Sequence, residues 1–115
     1  SDERPLFSTP KGTPIHVRSG LYYNDLLKYF KDIRTEKIKD GEKIKWVYLT
    51  ENEFNINVCG LKGFDDNENI INFVKKYIDI DEVFTSRLIS KVEDFYNVLG
   101  WNKPVLNNMM SEFFN

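Results

Sequence analysis

Apolar residues recur at helical spacing in three stretches of the chain. Each stretch places apolar side chains on one face and charged or amide side chains opposite, which is typical of an amphipathic helix packed on a core. The apolar positions are Tyr22, Leu26, Tyr29, Phe30 and Ile33, opposed by Asp25, Lys28, Lys31 and Asp32; then Ile70, Ile71, Val74 and Tyr77; then Phe84, Leu88, Val92, Phe95 and Leu99. The sequence therefore predicts about three amphipathic helices.

Helix-capping residues support the second and third of these helices. Any one of residues 65–67, Asp-Asp-Asn, can cap the second, and Asp79 or Asp81 can cap the third. Gly100 stands where a helix C-terminus favours glycine, and Pro104 prevents continuation.

Two regions before the first helix are predicted to be extended. Residues 1–14 contain three prolines and a glycine, which predicts an extended lead-in. Residues 15–18, Ile-His-Val-Arg, alternate between apolar and polar, as strands do. This alternation predicts a short extended segment with His16 and Arg18 on one side, ended by Ser19-Gly20.

A hairpin is predicted in the middle of the chain. Residues 43–49 and 54–58 are rich in β-branched and aromatic residues, and the polar residues 51–53 separate them. A small antiparallel sheet with amphipathic helices predicts an α+β domain over residues 1–103.

Composition narrows the class of protein. A chain of 115 residues with 41% hydrophobic residues can bury one core, and a single cysteine excludes an internal disulfide framework. The net charge of −2 argues against a general nucleic-acid binder, although residues 1–50 carry ten Lys/Arg against seven Asp/Glu. Without a leader-like segment or an apolar run of membrane-spanning length, we expect a cytoplasmic protein with no membrane partner.

No residue pattern predicts catalysis. The one histidine, His16, has no second histidine or cysteine for a metal site. The acidic residues 65–69 lack the glycine and downstream glutamate of a calcium loop, so helix capping explains them better.

Residues 13–24 instead suggest a binding surface. His16 and Arg18, followed by Ser19 and the Gly20 amide at a helix start, are groups suited to phosphate oxygens. A solvated edge strand explains the same residues. Arg87 and Lys91 form a second basic pair at helical spacing, as solvated surface residues also do.

The C-terminal residues 104–115 form a separate, flexible tail in this interpretation. Met110, Phe113 and Phe114 would project from one side of a helical turn. Such a cluster either packs on its own domain or fills a partner's apolar pocket.

Three segments in order resemble the C-terminal end of the family B replicative DNA polymerases of T-even-type phages. Residues 14–24 resemble the thumb segment in which His-x-Arg leads into a helix with a Tyr-Asn pair. Residues 77–101 resemble the last thumb helix, although the family usually has a lysine where Ser86 or Arg87 stands. Residues 107–114 resemble the C-terminal peptide that binds the sliding clamp, with Asn107 in the position of a glutamine.

The resemblance implies a DNA polymerase thumb that grips primer–template duplex through phosphates, with the clamp and the remainder of the polymerase as further partners. It implies that the catalytic carboxylates and two divalent metals lie in an upstream palm domain and that no cofactor binds this chain. The implied DNA-binding residues are Lys11, His16, Arg18, Ser19, Tyr23, Asn24, Arg87 and Lys91, and the implied clamp-binding residues are Asn107, Met110, Phe113 and Phe114. The alternative is a stand-alone clamp-binding module without DNA contact.

Overall fold

The computed structural model describes residues 4–85. In chain order the elements are α1 (Ile15–Tyr29), β1 (Lys45–Tyr48), β2 (Val58–Leu61), α2 (Glu68–Tyr77) and α3 (Ile80–Thr85). The predicted α+β class is confirmed. The predicted continuation of the third helix to Leu99, together with Arg87, Lys91 and the tail residues 104–115, lies outside the described residues.

Helix α1 begins earlier than predicted. Residues 15–18 are its first turn, so the extended segment predicted there is wrong. Four residues cannot distinguish a strand period from a helical one, and Ser19-Gly20 is not a break. Both residues are buried, and a Cβ added to Gly20 would lie 3.3 Å from Ile38 Cγ2, so this position is small because a neighbouring segment packs on it.

Helix α1 also ends before Ile33. The Asp32 amide donates to the Leu27 carbonyl (2.9 Å) and the Lys31 amide to the Lys28 carbonyl (3.0 Å), which is the hydrogen-bond pattern of a Schellman motif. Lys31 occupies the left-handed position of this motif, with φ of 57°. Ile33 therefore lies beyond the helix and is 96% exposed, contrary to its predicted place on the apolar face.

Asp25 is buried, although the helical pattern predicts it on the polar face. The lead-in folds back over this side of α1. Its Arg4 guanidinium donates to Asp25 Oδ1 (2.7 Å), and the Phe7 amide donates to Asp25 Oδ2 (2.9 Å). A buried carboxylate is tolerated because an opposite charge and a backbone amide satisfy it.

Strands β1 and β2 pair antiparallel, as the hairpin prediction requires, with Tyr48 opposite Val58. The connection is longer than predicted, because the second strand begins at Val58 rather than Phe54. The Asn52 side-chain amide donates to the carbonyls of Thr50 (2.8 Å) and Ile56 (2.7 Å) and so shapes the connection. Backbone groups that a strand would pair are thus satisfied by a side chain.

Among the predicted cap candidates, the structure selects Asn67 and Asp79. Asn67 Oδ1 accepts from the Ile70 amide (3.1 Å) at the start of α2, and Asp79 Oδ1 accepts from the Glu82 amide (3.0 Å) at the start of α3. The core lies where α1, β2 and α2 meet. Its fully buried members include Tyr23, Leu26, Val47, Val58, Cys59, Leu61, Ile70 and Val74.

No helix among residues 4–85 has the length and apolar character needed to cross a membrane.

We expect Lys31→Gly to stabilise the domain by about 1 kcal/mol, because glycine adopts the left-handed conformation without the steric cost that lysine bears. Chemical denaturation of the variant and the parent chain measures this difference. Lys28→Gly is the matched control: Lys28 lies in the last turn of α1, so glycine there should destabilise the helix. A loss of stability in Lys31→Gly would contradict the Schellman assignment.

Candidate nucleic-acid interface

The N-terminus of α1 is an electropositive helix end. Pro14 is the N-cap residue, and its carbonyl accepts from the amides of Val17 (3.1 Å) and Arg18 (2.9 Å). No side chain caps this end, and its first turn contains no acidic residue. The first amides of a helix have no intrahelical acceptor, and the helix dipole adds partial positive charge there. This end of α1 is therefore suited to an anion.

His16 and Arg18 lie in this first turn but not on one side of it. Residues two apart on a helix project in nearly opposite directions, which corrects the shared face expected of an extended segment. The His16 side chain is exposed. Arg18 is half-buried, and its Nε is buried without a hydrogen-bond partner in the part of the chain that the structure describes. Two basic groups thus flank the helix end on different sides.

A groove, which we call the α1–loop groove, runs beside the start of α1. It has a volume of about 830 Å³ and lies between the helix face from His16 to Asn24 and the loop from Ile38 to Ile44. Lys39 and Lys43 line it, with Asp40 and Glu42 from the same loop. It brings two lysines to the same groove as His16.

Sequence reasoning did not select Lys39 and Lys43. The available signal was the cluster of lysines in residues 37–45 around the Asp40-Gly41 turn. Lys39 Nζ lies 3.4 Å from a Glu36 carboxylate oxygen, but both side chains are largely exposed. Such a pair contributes little to stability and leaves the lysine accessible.

Three of the predicted DNA-binding residues make contacts inside the protein. The Ser19 hydroxyl donates to the His16 carbonyl (2.8 Å), and Ser19 is fully buried. Asn24 donates to the Ile38 carbonyl (2.9 Å) and accepts from the Ile38 amide (2.8 Å), so it fastens the groove's loop to α1. Tyr23 is fully buried as well. Ser19 and Tyr23 can act on a ligand only by positioning α1.

Lys11 remains on the surface. It lies in an exposed turn of the lead-in, where the Thr13 amide donates to the Pro10 carbonyl (3.2 Å). This turn immediately precedes α1 in the chain, so Lys11 stands near the helix N-terminus in sequence.

Tyr23 links α1 to the segment that precedes α2. Its hydroxyl donates to Asp66 Oδ1 (2.6 Å), while the amides of Lys62 and Gly63 donate to the same carboxylate (3.0 and 2.8 Å). Burial, and then the hydrogen bond and charge of Asp66, raise the pKa of Tyr23 above its ordinary value of 10.0. Burial also raises the pKa of the Cys59 thiol above 9.0, with a further contribution from Asp66. Both groups are neutral at physiological pH.

Among residues 4–85, no group of three or more His, Cys, Asp or Glu side chains is arranged to hold a metal ion. The geometry at the start of α1 supports anion binding through amides and basic side chains.

Comparisons of the chain with protein-family models, with curated proteins and with solved structures yielded no match.

We expect the free energy of unfolding to fall as pH rises above about 9, because ordinary unfolded thiols and phenols lose protons there while Cys59 and Tyr23 keep theirs in the fold. Their folded pKa values are raised, so the contribution is complete below the unfolded pKa and is lost with increasing pH. Urea unfolding across this range measures it.

Cys59→Ala should remove the part of this decline that begins near pH 9, and Tyr23→Phe the part that begins near pH 10. Tyr23→Phe should also cost about 1.5–3 kcal/mol at neutral pH, because Asp66 loses a hydrogen bond that it accepts as a charged group. Tyr29→Phe, at an exposed tyrosine, is the matched control. An identical alkaline decline in all variants would refute the assignment.

Proposed function

We propose that this chain is the thumb end of a phage-type family B DNA polymerase, which grips the primer–template duplex and is tethered to a sliding clamp by its tail. The ordered resemblance of residues 14–24, 77–101 and 107–114 to that polymerase supports the proposal. The structural observation that supports it most is the start of α1, an uncapped helix end with no acid and two basic residues in its first turn.

The first turn of α1 would gain from a bound anion. A cation at a helix N-terminus opposes the dipole, and here Arg18 occupies the first turn, with no acidic residue beside it. A phosphate would accept from the free amides, from Arg18 or from His16, and would reverse the unfavourable electrostatics. This chemistry holds a nucleic-acid backbone without identifying its bases.

The α1–loop groove supplies further charge for neighbouring phosphates. Lys39 and Lys43 lie across the groove from His16, and Lys11 lies in the turn before the helix. We assign Ser19, Tyr23 and Asn24 to the support of α1 and its loop. Arg87 and Lys91 extend the basic surface in this proposal on the strength of the resemblance alone.

The proposal gives the tail a separate role. Met110, Phe113 and Phe114 fill an apolar groove of the clamp, and Asn107 takes the place of the usual glutamine. Nucleotidyl transfer, with two divalent metal ions, belongs to an upstream palm domain. The role of this chain in the proposal is to bind the DNA duplex and the sliding clamp.

The alternative function is a stand-alone clamp-binding module with no DNA contact. The same tail residues support it. The two functions differ only in whether the start of α1 binds duplex DNA, so variants at Arg18 distinguish them.

We expect the chain to bind duplex DNA weakly, without sequence preference and with steep salt dependence, because phosphate contacts release counterions. Arg18→Ala should weaken binding severalfold and reduce the slope of log K against log[salt] by about 1. Fluorescence anisotropy with two unrelated duplexes over a salt series measures both quantities.

Arg34→Ala is the matched control, because it also removes one positive charge, from an exposed residue beyond the C-terminal end of α1. Arg18→Lys should retain part of the affinity, and thermal unfolding shows whether Arg18→Ala is folded. Binding that is independent of salt, or equally weakened by Arg34→Ala, would refute the role of the α1 N-terminus.

We expect Phe113→Ala with Phe114→Ala to abolish binding to the sliding clamp of a T-even-type phage, since truncating each buried aromatic anchor costs about 2 kcal/mol or more. Calorimetry with the purified clamp measures the loss. Met109→Ala, at the neighbouring apolar residue outside the i, i+3, i+4 set, should bind like the parent chain.

Clamp binding that survives the double substitution would refute the tail assignment under both functions. Arg18→Ala should leave clamp binding unchanged, and its effect on DNA binding separates the polymerase thumb from the stand-alone module.

A further inference from the structure

A second cleft lies at the opposite end of α1 from the α1–loop groove. Its volume is about 590 Å³, and its walls include Leu27, Lys28, Lys31, Ile33 and Lys37. We call it the α1 C-terminal cleft. It combines the exposed apolar side chain of Ile33 with three lysines.

Lys31 occupies a backbone conformation that favours glycine. It is the left-handed residue of the Schellman motif, with φ of 57°, and its side chain lines the cleft. A non-glycine residue in this conformation has a steric cost that glycine would not have. Lys31 therefore places its amine beside the cleft, although glycine would suit the backbone conformation better.

Ile33 lies in a hydrogen-bonded turn and is exposed to solvent. Asp32 Oδ1 accepts from the amides of Arg34 (2.8 Å) and Thr35 (2.9 Å), and Asp32 Oδ2 accepts from the Thr35 hydroxyl and from Asn67 Nδ2 (2.6 Å). These bonds fix the turn to the start of α2. Ile33 is 96% exposed beside the cleft.

The lysines of the cleft are available to a partner. Within residues 4–85, the side chains of Lys28, Lys31 and Lys37 make no ion pair and no hydrogen bond. The one acid in the wall, Asp32, directs its carboxylate oxygens into the turn. The cleft therefore presents positive charge around an exposed apolar side chain.

We propose that the α1 C-terminal cleft is a docking site for an acidic protein segment, one that carries carboxylates around an apolar pocket or side chain. Charge complementarity with Lys28, Lys31 and Lys37 selects and orients this partner. Contact with Ile33, which is exposed, removes apolar surface from water and supplies the centre of the interface. This site is separate from the start of α1 and does not depend on the polymerase proposal.

A nucleic-acid backbone fits this cleft less well. Phosphates would pair with the three lysines but would leave Ile33 in water. An acidic segment with an apolar residue satisfies both features. The role of Ile33 therefore separates the two kinds of partner.

The test titrates the isotope-labelled full chain with three probes at low salt, followed by amide chemical shifts. The probes are a short Asp/Glu peptide with a central leucine, the same peptide with a central serine, and a short DNA duplex. We expect the leucine peptide to shift amides around Lys31 and Ile33 and to bind about tenfold more tightly than the serine peptide, equivalent to about 1.4 kcal/mol.

Two variants make the result specific. Ile33→Ser should remove the advantage of the leucine peptide, and Lys31→Gly, which we expect to be more stable than the parent, should weaken it severalfold. Phe64→Ser and Lys76→Ala, at an exposed aromatic and an exposed lysine outside the cleft, should bind as the parent does.

Three results would overturn the proposal. The first is equal affinity for the leucine and serine peptides, and the second is the absence of localised chemical-shift changes at the cleft. The third is that the DNA duplex shifts the same amides and that Ile33→Ser does not alter this effect. The last result would identify the cleft as a nucleic-acid surface.

Discussion

The close packing of α1 on β2 is the constraint on which the rest of the structure depends. At Gly60 a Cβ would lie 2.7 Å from Ile44 Cδ1 and 3.1 Å from the Ser19 carbonyl oxygen. A side chain at residue 60 would therefore push helix and strand slightly apart, and glycine permits their close approach. Asn24 then fixes Ile38 against the same helix. The α1–loop groove takes its position from this packing, because Ile38 and Ile44 line it.

The two ends of α1 are electrostatically different although both are basic. At the N-terminus, Arg18 opposes the helix dipole, so its presence there favours an anionic ligand. At the C-terminus, Lys28 complements the dipole and needs no ligand to explain it. The proposal of a partner at that end rests instead on the exposed Ile33 and the lysines around it.

A polar network joins α1 to α2 and limits how the surfaces can move. Asn67 accepts from the Ile70 amide as the cap of α2 and donates to Asp32 beyond the end of α1. One residue earlier, Asp66 accepts from the buried Tyr23 hydroxyl. Two neighbouring side chains thus connect both helices through hydrogen bonds.

The sequence alone determined the α+β class, the antiparallel pairing of β1 with β2 and the short sets of cap candidates that include Asn67 and Asp79, because these depend on local periodicity and short-range capping chemistry. Only the structure decided that residues 15–18 are helical, that Asp25 is buried and that Ile33 is exposed. The burial of Asp25 and the turn at Ile33 depend on residues distant in the chain, the lead-in and the start of α2 respectively. The basic residues could be listed from the sequence, but only packing decided which of them share a surface. Helical geometry separates His16 from Arg18. The loop that packs on α1 brings Lys39 and Lys43 into the same groove as His16.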